Sequence, residues 1–183
     1  EANVTSCAGD IDLPAAWFGL FDYVQLGLHR WVAPRRPREA LELGALNLAA
    51  RLSDRAARRA LARNTAALVR AIERHPIDVV THPGFQLPVD WIAVGEACAR
   101  SGAAFEINTG HGRLDPAHLR AVARTGCRFV IGSDAHTPER VGDLALGVAL
   151  ARAAGIPPER LLNATPVVAG RSRSGVGEAR RRG

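Results

Sequence analysis

The sequence contains no methionine and no lysine, only three cysteines, and no long apolar run. An encoded chain normally opens on methionine, whereas this one opens on Glu1, so a piece of a longer protein or a processed product is expected. No stretch approaches the roughly 20 apolar residues of a membrane-spanning helix. No basic and apolar leader is visible at the start, so neither secretion nor a membrane association is expected. Cys7, Cys98 and Cys127 are odd in number, widely spaced and without a CxxC pair. This argues against a disulfide framework and predicts small buried thiols in a reducing, cytoplasmic compartment. Neither GxGxxG nor GxxxxGK[ST] occurs, which removes nucleotide binding through those loops. Ser133 lies beside Asp134 and His136, but no nucleophile-elbow pattern surrounds it, which argues against a serine hydrolase.

All the positive charge is arginine, and its distribution matters more than its total. The net charge is +6, of which the last 13 residues, RSRSGVGEARRRG, carry +4, leaving +2 for the rest of the chain. A nearly neutral body does not favour nucleic acid as a partner. The expected organisation is one domain over 1–168 followed by a disordered Arg/Gly/Ser-rich tail over 169–183. With 183 residues the chain is long enough for a real core, and 47% hydrophobic with 23% charged residues is ordinary for a globular protein.

From Pro76 onward strand and helix patterns alternate. PIDVVTHPG, AAFEIN and CRFVIGSDAH read as strands; VDWIAVGEACARSG, DPAHLRAVARTG and VGDLALGVALARAAG read as helices closed by Gly102, Gly126 and Gly155, with PPERLLNA a short last helix. Asp115 is a predicted N-cap with Pro116 in the first turn. Upstream, ANVTS is a possible short strand and FDYVQLGLH reads as a strand ending near His29. The Arg/Ala-rich segment 35–73 is mostly helical, with Ser53 as an N-cap inside it. Alternation of this kind predicts parallel strands, because each helix must return the chain to the same end of the sheet.

Spacing then places the chemistry. His82 and Asn108 are 26 residues apart, and so are Asn108 and Asp134. Each sits just past a strand's apolar run, so equal strand–helix units put all three on one sheet edge. His29 and His136 are expected there too, and in parallel sheets the C-terminal edge gathers ligands. Converging imidazoles and carboxylate suit a divalent ion such as zinc, manganese or iron. His75 and His118 are read as structural, since no apolar run delivers them to that edge.

The segments GDIDLPAAWFGLFDYVQLGLH, DVVTHPG, FEIN and FVIGSDAH, in that order, resemble the PHP (polymerase and histidinol phosphatase) family. The resemblance covers Glu1 to about Ala164. It implies an α/β fold, a distorted TIM-like (β/α)7 barrel of parallel strands, incomplete here, whose rim holds up to three divalent ions (Zn, Mn or Fe). It further implies a phosphatase or phosphoesterase, a hydrolase in which a water bridging two ions attacks phosphorus and no side chain is the nucleophile. By this resemblance Glu1 is the bridging carboxylate, His29 and His82 are ligands of the ion it shares, Asp134 is a ligand of a second ion and His136 of a third. Asn108 lies near the substrate, with His111 and Arg113 in the following loop as phosphate-orienting candidates. Members begin with a strand ending in His-x-His; that region and two barrel strands do not occur in this sequence and are expected upstream of residue 1. The implied partner is a phosphorylated small molecule, and the sequence carries no indication of an oligomeric state. Two other readings stay open: a DNA-end-processing module like those attached to X-type polymerases, because Glu106-Ile107-Asn108 is followed by Arg113-Leu114-Asp115, and a non-catalytic fragment or interaction module, because ligands of the family pattern are missing.

Overall fold

A computed structural model describes residues 1–30, 32, 44–111 and 114–164. Its centre is a five-stranded parallel sheet in the order β1 (Ala2–Asn3), β2 (Gln25–Gly27), β3 (Val79–Val80), β4 (Ala104–Asn108) and β5 (Arg128–Gly132). Every neighbour in the sheet is also the next strand in the chain, so each connection steps one strand in the same direction. The helices are α1 (Leu46–Ala49), α2 (Asp54–Arg74), α3 (Trp91–Ser101), α4 (Pro116–Ala123) and α5 (Ala145–Ala153).

Local chemistry accounts for the helix ends. Ser53 Oγ accepts from Ala56 N at 3.2 Å and opens α2, with Asp54 in its first turn and Arg74 in its last, matching the helix dipole. Asp90 caps α3 by accepting from Ile92 N and Ala93 N, and Asp115 caps α4 by accepting from His118 N. Gly102 closes α3 with φ +80, and Gly126 follows α4 with φ +86, conformations that cost a side-chain-bearing residue dearly. Helix α2 buries Ala60, Asn64, Ala67, Leu68, Ala71 and Ile72, a stripe at helical spacing.

Strand alternation sorts the sheet's two faces. Phe105 and Ile107 point one way and, with Phe129 and Ile131, form the buried apolar layer; the Phe105 and Phe129 rings meet edge-on at 6.0 Å. Gly147 of α5 presses on this layer, where an added Cβ would lie 2.9 Å from Thr109 Cγ2 and overlap Ile131. Glu106 and Asn108 point the other way and are also buried. A buried polar face on a central strand needs partners, and those partners form the site described below.

Some elements differ from expectation. The strands expected over 21–29 and from Pro76 to His82 contract to three and two residues. The helix expected from Val141 starts at Ala145, because Pro138–Arg140 forms a 3-10 turn and Gly142 takes φ +77. The last expected helix is a single 3-10 turn, Pro158–Arg160. It is tied down by Arg160, whose Nη1 donates to Ala123 O at 2.7 Å and whose Nε donates to Cys127 O at 3.1 Å. The expected tail over 169–183, Arg113, and the first part of the Arg/Ala-rich segment lie outside the described residues. Among the described residues no helix is long and apolar enough to cross a membrane. Cys98 and Cys127 are buried, and burial raises both thiols, which leaves them in the unreactive protonated form. His75 and His118 have structural tasks: His75 Nε2 bonds Gly9 O at 3.1 Å, and His118 Nδ1 pairs with Asp115 Oδ2 at 2.8 Å.

Candidate metal centre

The ends of β2, β3, β4 and β5 bring His29, His82, Asn108, Asp134 and His136 to one rim, together with Glu1 and His111. Glu1 precedes β1 rather than following it, yet its carboxylate still reaches the rim. Oε1 lies 3.5 Å from His29 Nε2 and 3.5 Å from His82 Nε2. Gly27 opens that path, since a Cβ there would overlap the Glu1 oxygen and stand 2.5 Å from His29 Cε1.

Each of these three donors is held by a second partner. His29 Nδ1 bonds Asn3 Oδ1 at 2.7 Å. Asn3 is oriented in turn, because its Nδ2 donates to Asp12 Oδ2 at 2.7 Å and its backbone N to Asp12 Oδ1 at 2.7 Å. The amide oxygen therefore faces His29, the imidazole proton sits on Nδ1, and Nε2 presents its lone pair toward Glu1. Thr81 Oγ1 donates to Glu1 Oε1 at 3.0 Å. His82 N donates to Glu106 Oε2 at 2.6 Å.

Two imidazoles and a carboxylate are a donor set for zinc, manganese or iron. The three ligand atoms lie within 4.8 Å of one another. With ligand distances of about 2.1 Å, tetrahedral donors stand about 3.4 Å apart, so the two 3.5 Å separations from Glu1 match the spacing such an ion requires.

On the other side of His82 lie His111, Asp134 and His136. His111 Nε2 is 2.9 Å from Asp134 Oδ2, and His136 Nδ1 bonds Asp134 O at 2.8 Å. The rings of His29, His82, His111 and His136 run in sequence, with centroids 4.9, 6.0 and 6.0 Å apart. Asn108 joins the two sides. Its Nδ2 donates to Glu106 Oε2 at 3.1 Å and to Asp134 Oδ2 at 3.2 Å, while Oδ1 accepts from Gly110 N at 2.9 Å and from His111 N at 2.8 Å. All of its hydrogen-bonding positions are used within the protein.

Backbone strain marks the same place. Among the described residues His82 (φ +28) and Asp134 (φ +47) are the two non-glycine residues with positive φ. Such conformations cost about 1–3 kcal/mol each and persist where the surroundings over-determine them. Here the surroundings include Glu106 on the His82 amide and Asn108 on the Asp134 carboxylate.

Proteins named "Probable phosphatase" are similar to this chain along most of its length. The one from Shewanella sediminis (strain HAW-EB3) is 31% identical over 175 residues, covering 91% of this chain and 62% of that protein. The one from Shewanella halifaxensis (strain HAW-EB4) is 30% identical over 175 residues, and the one from Tolumonas auensis (strain DSM 9187 / NBRC 110442 / TA 4) 29% over 177. The chain therefore spans about 62% of the length of the curated relatives it matches. No family model matches it.

Sequence reasoning missed the supports rather than the donors. Asn3, Asp12, Thr81 and Gly27 carried no signal of their own, and Glu106 stood out only as part of the Glu-Ile-Asn strand. Burial, the largest influence, raises the Glu106 carboxyl above its ordinary value, opposed by the Asn108 and His82 bonds. Burial also lowers the His29 and His111 imidazoles below 6.5, outweighing the attraction of Glu1 on His29 and of Asp134 on His111. Both are then neutral at pH 7, the form with a free lone pair. The unfolded chain takes up these protons first as pH falls below 6.5, so their contribution to stability is complete above 6.5 and lost as pH falls through the lowered folded values. The two imidazoles destabilise the metal-free protein as pH drops from 7 toward 5, while the raised Glu106 carboxyl acts in the opposite direction, so His29→Gln should make the melting temperature fall less over that range than it does in the wild type. Calorimetric melting at several pH values checks this.

Proposed function

We propose that this chain belongs to a metal-dependent phosphatase of the PHP type, acting on a phosphorylated small molecule. The supporting observation is the Glu1–His29–His82 donor set, pre-oriented by Asn3, Thr81 and Glu106, on a rim that continues to Asp134 and His136. The names of the similar proteins from Shewanella and Tolumonas support the same reading. Glu1, His29 and His82 hold one ion, and Asp134 and His136 serve further ones. When bound, divalent ions supply the charge that activates water near neutral pH and neutralises the phosphate oxygens.

The chain's own residues supply position. Asn3 fixes the proton of His29 on Nδ1, Glu106 holds His82 in its strained conformation, and Asn108 keeps Asp134 and the loop after β4 in register. Arg113 in that loop is the phosphate clamp, its planar fork matching two phosphate oxygens. The surrounding fold is the part of a (β/α)7 barrel contributed by five consecutive parallel strands.

The test is phosphate release from a panel of phosphomonoesters by the protein encoded in the complete reading frame, with manganese or zinc and after chelation. Release should require metal and fall more than about a hundred-fold in His82→Ala, since even the partners of ligands are worth 10–100-fold. Metal-independent release, or release from no ester, would end this reading.

A further inference from the structure

We propose that Trp91, at the start of α3, is a positioning residue for His82 and acts through the backbone carbonyl of Pro83. This rests on the reading of Glu1, His29 and His82 as an ion site and does not need the chain to be a phosphatase.

The chain reverses directly after His82. Phe85 N donates to His82 O at 3.0 Å, Pro83 takes the second position of the turn, and Gly84 takes the third with φ +86. Proline followed by a positive-φ glycine is the signature of a type II turn. Types I and II differ by the direction of the central peptide, whose carbonyl belongs to the second residue. That carbonyl is Pro83 O, and the Trp91 indole N–H donates to it at 2.9 Å. The bond therefore holds the turn in its type II form. An added Cβ at Gly84 would stand 2.5 Å from Trp91 Nε1, so the indole lies against the turn itself.

His82 opens this turn in a strained conformation, φ +28, with its side chain 6% exposed. Glu106 holds its amide at 2.6 Å, and the locked turn holds its carbonyl. Phe85, the last residue of the turn, sets its ring edge-on to the His82 imidazole with centroids 5.7 Å apart. A flipped central peptide would loosen both restraints on the carbonyl side.

Trp91 is itself fixed from α2. Asn64 and Thr65 are buried polar residues on the inward stripe of that helix. Asn64 Nδ2 donates to Pro88 O at 3.1 Å, and Thr65 Oγ1 accepts from Asp90 N at 2.8 Å. Buried polar groups require partners, and these two use the residues just before Trp91. Asp90 then caps α3, and the His118 ring stands edge-on to the indole at 4.5 Å. A phenylalanine would fill much of the same space but leave the Pro83 carbonyl without its donor.

The test compares Trp91→Phe with Ile72→Val, which trims a core side chain of α2, in the protein encoded by the complete reading frame. In ¹⁵N spectra of histidine-labelled protein titrated with zinc against a competing chelator, the His82 ring resonance reads occupancy of its own site. Trp91→Phe should weaken zinc there by about ten-fold, the low end for groups that orient a ligand. In the metal-free variant the His82 amide hydrogen should exchange at least about ten-fold faster, because local opening becomes easier. Ile72→Val should melt a few degrees lower than wild type yet keep wild-type zinc affinity and His82 exchange. If Trp91→Phe does not fold, benzothienylalanine at position 91, which keeps the ring outline and replaces only the N–H by sulfur, takes its place in the same measurements. Wild-type zinc affinity in the folded position-91 variant, or an equal loss in Ile72→Val, would overturn the proposal. Zinc binding at His82 without phosphate release would end the phosphatase reading and leave this one standing.

Discussion

Asn108→Ala is expected to lower the melting temperature by roughly 6–12 °C and phosphate release by at least about a hundred-fold. Asn108 is 4% exposed and uses both amide hydrogens and both lone pairs internally. Truncation strips Glu106 and Asp134 of a donor and orphans the amides of Gly110 and His111. Leaving a buried polar group without its partner costs about 1–3 kcal/mol. Some of these groups reach water, so a total of about 3 kcal/mol is reasonable, and each kcal/mol moves the midpoint of a domain this size by roughly 2–4 °C. The catalytic loss has a separate origin, because Asn108 is the girder between the strained residues His82 and Asp134. Asn108→Asp sharpens the test. It keeps an oxygen for the two amides but replaces the amide nitrogen by a carboxylate oxygen next to Glu106 and Asp134. Three carboxylates cannot all stay ionised at such distances, so the aspartate variant should fall at least as far as the alanine one. Melting and phosphate release within error of wild type in either variant would remove Asn108 from this role.

What could be seen in advance was the frame. The strand and helix alternation, the caps at Ser53 and Asp115 and the closing glycines are local signals, and Gly102, Gly126 and Gly155 do take positive φ. The equal spacing of His82, Asn108 and Asp134 pointed to one shared edge, but the register offsets are 25 and 24 residues rather than 26, so Asn108 pairs with Gly132 and Asp134 lies two residues beyond it, past the strand end. What a strand end does with its side chains could not be seen. Alternation predicts direction only while φ stays extended, and at His82 and Asp134 the backbone leaves that region. The task of Glu106 was hidden for another reason, since its partner is the His82 amide 24 residues away. Asn3 and Asp12 meet across a turn that no periodicity reports. His111 stands in a Gly-flanked loop, where sequence allowed a substrate role as readily as any other. Its place beside Asp134 depends on Gly110 having no side chain.

Gly27→Ala should abolish one ion and most phosphate release while leaving the fold almost untouched. Gly27 is buried at the end of β2, and its backbone is not in the left-handed region, so alanine fits its conformation. A substitution of that kind gains about 0.4–1 kcal/mol by restricting the unfolded chain. Its Cβ, however, overlaps the Glu1 carboxylate and stands 2.5 Å from His29 Cε1 and 3.0 Å from His29 Nδ1. The nearest obstacles are the ends of the Glu1 and His29 side chains, so both swing aside at little cost in stability, but the 3.5 Å approaches of Glu1 to His29 and His82 are lost. The melting temperature should stay within about 2 °C of wild type, consistent with a net change near ±0.5 kcal/mol. Cobalt stoichiometry should drop by one, and phosphate release should fall more than about a hundred-fold. Gly126→Ala supplies the opposite case. An added Cβ there meets nothing within 4 Å, but the residue sits at φ +86 beyond the end of α4. That conformation penalises alanine by about 1 kcal/mol, so this variant should melt a few degrees lower yet bind its ions and release phosphate normally. The two glycines separate room for a ligand from freedom of the backbone. If Gly27→Ala kept full metal stoichiometry, Glu1 would not be a ligand reached through that gap, and the carboxylate of the first site would have to be sought elsewhere on the rim.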